Sequence, residues 1–170
     1  AVAAMASIVT SAEANGSPLG GTQYPCIEPP LGRAEEALAA VAPGLAREVG
    51  ARAIVAFTQT GATARRLAMH RPEVPLLAFT RDAAVRSRLA VTWGVETFVA
   101  PLSGTLDEMV VQVSRSILDC GRCAPGDVVV IVAGSLPWSP GATDMVRVHQ
   151  LAGGPISQPD PISHLSPCKR

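Results

Sequence analysis

ARAIVAFTQTGATARRLAMH, residues 51–70, decides the fold. Residues 51–57 form a short apolar run that stops abruptly at polar residues. That pattern suits a strand buried on both faces. Gly61 marks a turn, a helix runs on to His70, and Arg71-Pro72 ends it. The rest of the chain repeats the unit. PLLAFT, 75–80, reads as a second strand, and DAAVRSRLAVT, 82–92, as a helix with Asp82 as its N-cap. VETFVAP, 95–101, is a third strand. TLDEMVVQVSRSILDCGR, 105–122, is the longest helix, with Met109, Val113, Ile117 and the neighbouring Val110 and Leu118 lining one face. VVVIVAG, 128–134, opens on consecutive β-branched residues and is a strand. MVRVHQL, 145–151, alternates, which suits an edge or antiparallel strand.

Upstream, RAEEALAAVAPGLARE, 33–48, is rich in helix formers, with Pro43-Gly44 as a kink or break. Strands alternating with helices predict an α/β fold in three layers: an open, mostly parallel five-stranded sheet with helices on both faces. In such sheets ligands bind beyond the carboxyl ends of the strands, where the strand order reverses.

The flanks differ in character. Residues 1–14 place Val2, Met5, Ile8 and Val9 at helical spacing and need a partner surface. Residues 15–32 are rich in Gly and Pro and read as a linker. Residues 152–170 are Pro-rich without any period and read as a disordered tail. The domain proper is therefore residues 33–151. The first residue is Ala, so the chain is expected to be a piece of something longer.

Composition excludes several classes. The 170 residues carry 14 basic and 14 acidic side chains, and this zero balance lacks the field that drives non-specific nucleic-acid binding. Aromatics are 4%, too few for base-stacking platforms. No apolar run is long enough to span a membrane, and no basic stretch precedes the first apolar residues as in a secretory signal. Four Cys do not make a disulfide scaffold, so a reducing, cytoplasmic setting with free thiols is expected.

The sharpest chemical feature is the turn after the first strand: Thr58, Gln59, Thr60, Gly61, Ala62 and Thr63. Hydroxyls, a glycine that permits close approach and amide groups at a helix start suit a phosphate monoester. The plainer alternative is an ordinary turn capped by threonines. No Lys follows, so this is not a P-loop, and no G-x-G-x-x-G appears. The second candidate is the loop 134–144, where Pro137, Trp138, Ser139, Gly141 and Thr143 would cover a ligand at the same sheet edge; the alternative is a plain connector. Cys120 and Cys123 form a C-x-x-C, but one pair cannot make a four-ligand zinc site. A redox role is disfavoured by their place at a helix C-terminus. His70 ends a helix, where a cation is mildly favoured, and His149 reads as structural. No catalytic constellation and no metal site stands out.

Three segments carry a family resemblance. AIVAFTQTGATARRLAMHRPEVPLLAFT (53–80), VRSRLAVTWGVETFVAP (85–101, notably Leu89 and Trp93-Gly94-Val95) and GDVVVIVAGSLPWSPGATDMVRVHQL (126–151) resemble the C-terminal domain of pyruvate kinase, closest in detail to actinobacterial members. Ala1-Val2, Met5 and Ile8 resemble the last helix of that family's catalytic barrel. The resemblance implies a regulatory and oligomerising domain. The whole enzyme would transfer phosphate from phosphoenolpyruvate to ADP with magnesium and potassium, while this domain would hold no cofactor and no catalytic residue. The expected partners are a sugar-phosphate or nucleoside monophosphate effector, the protein's own barrel domain, and a twin subunit packed through strand 145–151. The turn 58–63 would hold the phosphate, and the loop ending at Thr143 would close over the ligand.

Two departures from the family pattern bear on the effector. Counting back from Gly126-Asp127 puts Met109 where bisphosphate-responsive members carry an Arg, which favours a monophosphate. Asp144 replaces an Asn and adds negative charge beside the loop. Two rival readings follow: a structural oligomerisation module with a dead effector site, or a stand-alone sugar-phosphate sensor.

Overall fold

The computed structural model describes residues 2–14, 34–101, 103–134 and 143–152. The expected linker, tail and most of the 134–144 loop lie outside these. In chain order the elements are α1 (Val2–Ala14), α2 (Ala34–Glu48), β1 (Ala53–Phe57), α3 (Ala62–Met69), β2 (Leu76–Thr80), α4 (Ala83–Leu89), β3 (Val95–Val99), α5 (Leu106–Asp119), β4 (Val128–Ala133) and β5 (Met145–Gln150).

The five strands form one sheet in the order β3-β2-β1-β4-β5. β1 runs parallel to both neighbours, pairing Ile54 with Leu76 on one side and with Val130 on the other. Every β1 residue is buried, which is why 53–57 reads as an unbroken apolar run. β5 pairs antiparallel with β4, Ile131 opposite Arg147, and closes that edge of the sheet as its alternation predicts.

The chain steps outward from β1 to β2 to β3, then returns to place β4 on the other side of β1. Right-handed crossovers in opposite directions put their helices on opposite faces. One core accordingly packs Ala39, Ala42 and Ala46 of α2, Leu67 of α3 and Leu89 of α4 against Ile54, Ala56, Leu76 and Val130. The other packs Met109, Val113 and Ile117 of α5 against Val55, Phe57, Phe79 and Ile131. The reversal lies between β1 and β4, so the turn leaving β1 stands beside the carboxyl end of β4.

α2 runs through Pro43 without a break, so of the kink or break expected there the break does not occur. Proline removes one backbone donor, and the small Ala39, Ala42 and Ala46 hold the helix tightly to the sheet on both sides of the gap. α1 forms over the expected residues, and its described side chains, 2–12, are all exposed. No helix among the described residues is long and apolar enough to cross a membrane.

Candidate functional site

The turn 58–63 is built from the end of β1 and the first turn of α3. Thr58 is buried; its N–H donates to the Phe79 carbonyl at 3.0 Å, which fixes the turn to β2. Gly61 is the N-cap of α3 at φ +85°, a conformation that favours glycine. A Cβ there would lie 2.9 Å from Arg65 Nη1 and 3.2 Å from Leu89 Cδ2, so close approach adds a second demand for glycine.

The threonines serve their own backbone. Thr58 Oγ1 accepts from the Gly61 N–H at 2.9 Å, and Thr60 Oγ1 accepts from the Ala62 N–H at 3.4 Å. The expectation of free amides at this helix start is corrected at these two positions: short hydroxyl side chains two or three residues upstream reach them first. Arg65 brings a cation to the turn, with Nη1 3.5 Å from the Thr60 carbonyl it donates to.

Thr63 takes a different partner. Its Oγ1 lies 2.8 Å from Thr143 Oγ1, and both residues are only 7% exposed. This bond joins the first turn of α3 to the approach to β5 across 80 residues of chain. Thr63 and Thr143, proposed from sequence on separate segments, therefore meet. Pro137, Trp138, Ser139 and Gly141 lie outside the described residues. On the β2 side of the turn, Gln59, Thr80, Arg81 and Asp82 line a cleft of about 220 Å³. Asp82 caps α4 as expected, Oδ1 accepting from the Ala84 N–H at 2.7 Å.

Met109 is a correction. It is 2% exposed and packed in the α5 core, so it faces no ligand and says nothing about a second phosphate. The helical period that put it on the apolar stripe with Val113 and Ile117 was the sound signal. Asp144 is exposed, with its N–H bonded to the Ala133 carbonyl at 3.2 Å.

Two polar contacts between β5 and α5 escaped the sequence reading. Arg147 Nη1 meets Asp107 Oδ1 at 2.5 Å. His149 Nε2 lies 3.1 Å from Ser114 Oγ, which itself donates to the Val110 carbonyl at 2.7 Å. With its own proton committed there, Ser114 accepts, and His149 donates through Nε2. Burial, and secondarily the charge of Arg147, lower the His149 pKa below 6.5. Burial also lowers that of His70, overriding the helix-end preference for a cation expected there. Cys120 is exposed and Cys123 buried, both as free thiols. Burial first, then Asp127, raises the Cys123 pKa and suppresses its thiolate. Among the described residues no group of three or more His, Cys, Asp or Glu side chains is placed to hold a metal ion.

Residues 36–149 match the family described as "Pyruvate kinase, alpha/beta domain". The chain belongs to this family. A pyruvate kinase of Mycobacterium intracellulare is 41% identical over 155 residues, covering 89% of this chain and 31% of the relative. One from Corynebacterium efficiens is 46% identical over 107 residues, covering 63% of this chain and 23% of its own length. The chain thus spans about a third or less of the curated pyruvate kinases it matches. The crystal structure of Cryptosporidium parvum pyruvate kinase shares the fold, with a TM-score of 0.61 at 23% identity over 69% of this chain and 22% of that one. The pyruvate kinase resemblance read from 53–80, 85–101 and 126–151 is thereby established, and so is the five-stranded α/β class. In the structure these segments converge: Leu89 packs over Gly61, and Trp93 lies under the Arg71 guanidinium at 4.6 Å from its ring centre.

Proposed function

We propose that this pyruvate kinase C-terminal domain is the effector-binding and oligomerising part of its enzyme. The effector is a phosphate monoester, held at the turn 58–63. The observation that carries this reading is the Thr63–Thr143 bond at the strand reversal, which ties the phosphate turn to the last strand of the sheet. A ligand that displaces the long 3.4 Å contact of Thr60 and competes with the 2.9 Å bond of Thr58 acts beside that junction. Its effect on the enzyme follows from linkage: it favours whichever arrangement of subunits it binds better, and substrate affects effector equally in return.

The whole enzyme would convert phosphoenolpyruvate and ADP to pyruvate and ATP in glycolysis, with magnesium and potassium in the barrel. This chain alone transfers no phosphoryl group in that reading, and a coupled pyruvate assay on it stays at background. β5, residues 145–150, supplies the twin contact: it ends the sheet and exposes Val148. Backbone NMR of the 170-residue chain during titration with glucose 6-phosphate tests the site. Saturable shifts centred on Gln59–Thr63 and Thr143 are expected; shifts centred elsewhere would remove the assignment.

One observation favours a second reading. The Gly61 and Ala62 amides are already bonded inside the turn. A domain that only holds subunits together, with a dead effector site, would look the same without ligand. It predicts no shifts with any phosphate.

A further inference from the structure

β5 ends the sheet, and the polar side chains of one of its faces are both turned onto α5. Arg147 reaches Asp107, and His149 Nε2 lies 3.1 Å from Ser114 Oγ. The opposite face carries Val148, which is 46% exposed. The Leu151 N–H donates to the Asp127 carbonyl at 2.8 Å, and the Leu151 carbonyl accepts from the Gly126 N–H at 2.7 Å, so Leu151 bonds inward. Alternation along an antiparallel strand then turns the amides and carbonyls of Val146, Val148 and Gln150 outward. We propose that pairing of this edge with its copy in a second chain is coupled to the loss of a proton from His149, so that the subunit contact tightens as pH rises and loosens as pH falls. This rests on the reading of β5 as the twin contact and gives that contact its control.

Geometry supplies the coupling. A two-fold pairing of antiparallel edges continues the sheet and keeps each face on its own side. The α5-facing side then gathers Arg147 and His149 from both chains, and like charges that meet across strands destabilise the pairing once His149 is protonated. The surroundings of His149 offer it no anion of its own. Apolar Val129 stands opposite it on β4, as Ile131 stands opposite Arg147. On α5 the Asp107 carboxylate is taken by Arg147, while Arg115 and Asp119 are exposed. The Asp127 carboxylate, before β4, accepts from the Ala124 N–H. Ser114 gives its own proton to the Val110 carbonyl, so it accepts from His149 in either protonation state and holds the ring in place. Burial first, and then the Arg147 charge, already lower the His149 pKa below 6.5. Covering the edge strips more water from the ring and adds the second chain's positive charge, so the paired state disfavours the proton further. By linkage, association is strongest above about pH 6.5 and weakens as pH falls through that value.

The test is sedimentation velocity of the 170-residue chain over a concentration series at pH 7.5 and 5.5, with circular dichroism to establish the folded state at both. The self-association constant should be about tenfold or more weaker at pH 5.5, the scale expected when each of two chains takes up a proton. His149→Gln keeps an amide donor for Ser114 and cannot become charged. It should associate equally at both pH values. Arg147→Gln removes the neighbouring charge at a partly exposed site. It should shrink the pH dependence without abolishing it, because burial of the ring remains.

A constant that weakens at pH 5.5 in the unaltered chain and becomes flat in His149→Gln supports the coupling. Equal constants at both pH values, a tighter contact at pH 5.5, or an undiminished dependence in His149→Gln would overturn it and leave the twin contact standing. If His149→Gln does not fold, Arg147→Gln carries the test, and an undiminished dependence there would overturn the coupling in the same way. A folded chain that stays monomeric at every concentration at pH 7.5 would overturn the twin-contact reading itself, and the coupling with it.

Discussion

α3 and α5 both start at the carboxyl end of a strand, and they start in different ways. α5 opens with a complete capping box: Thr105 Oγ1 accepts from the Glu108 N–H at 3.4 Å, and Glu108 Oε2 accepts from the Thr105 N–H at 2.7 Å. Its acidic first turn, Asp107 and Glu108, suits the positive end of the helix dipole. α3 has a left-handed glycine as N-cap, no side-chain cap bond from that residue and no acidic residue in its first turn. Its amides are served by hydroxyls from upstream. The first start is finished with anionic groups of the protein's own. The second is left uncharged, with Arg65 at hand, and an anion would improve it. The difference separates a helix start completed by anionic side chains from one served by neutral hydroxyls alone.

The largest expected effect breaks the stable side of this comparison. Met109→Arg puts a charge into the core beneath α5 and should cost on the order of 4 kcal/mol or more. Chemical denaturation checks it: a soluble, fully stable variant with new bisphosphate affinity would show that α5 faces ligand after all.

Next in size is the ligand side. Thr60→Ala with Thr63→Ala should weaken monophosphate binding at least about tenfold. It should also lower stability by about 1 kcal/mol, because Thr143 loses its buried partner. Thr105→Ala is the matching change at α5. It should cost about 1 kcal/mol of stability and leave phosphate affinity unchanged, by the same two measurements.

The smallest effect is in the polar seam between β5 and α5. The folded pKa of His149 is lowered from 6.5, so the unfolded chain binds its proton more readily. The stability this gives is fully present above about pH 6.5. It is lost as pH falls through that value toward the lower folded pKa. His70 acts in the same direction. Melting temperature should therefore drop between pH 7.5 and 5.5, and His149→Gln should flatten the drop. An unchanged pH profile in that variant would assign the effect elsewhere.

Local signals made most of the fold legible. Buried strands read as apolar runs, Asp82 announced the start of α4, and alternation marked 145–151 as an edge or antiparallel strand, which β5 is on both counts. Strand order was not legible, since insertion of β4 beside β1 depends on long-range packing that no local pattern encodes. The same limit hid Arg147–Asp107 and His149–Ser114, partners 40 and 35 residues apart. The capping box at Thr105 was legible as T-x-x-E and went unread. Met109 shows two signals in conflict. Its apolar period placed it in the core, while its position relative to Gly126-Asp127 placed it toward ligand, and burial sides with the period. At the turn, residue types gave the segment, but they could not show that the hydroxyls of Thr58 and Thr60 cap their own backbone or that Thr63 reaches Thr143.

The central claim is that residues 58–63 hold a phosphate monoester. Calorimetric titration of the intact 170-residue chain with glucose 6-phosphate, beside the Thr60→Ala/Thr63→Ala variant, tests it most directly. The account predicts saturable, one-site heat for the unaltered chain and a large loss in the variant. Equal heats from both, or none from a folded sample of the unaltered chain, would contradict it.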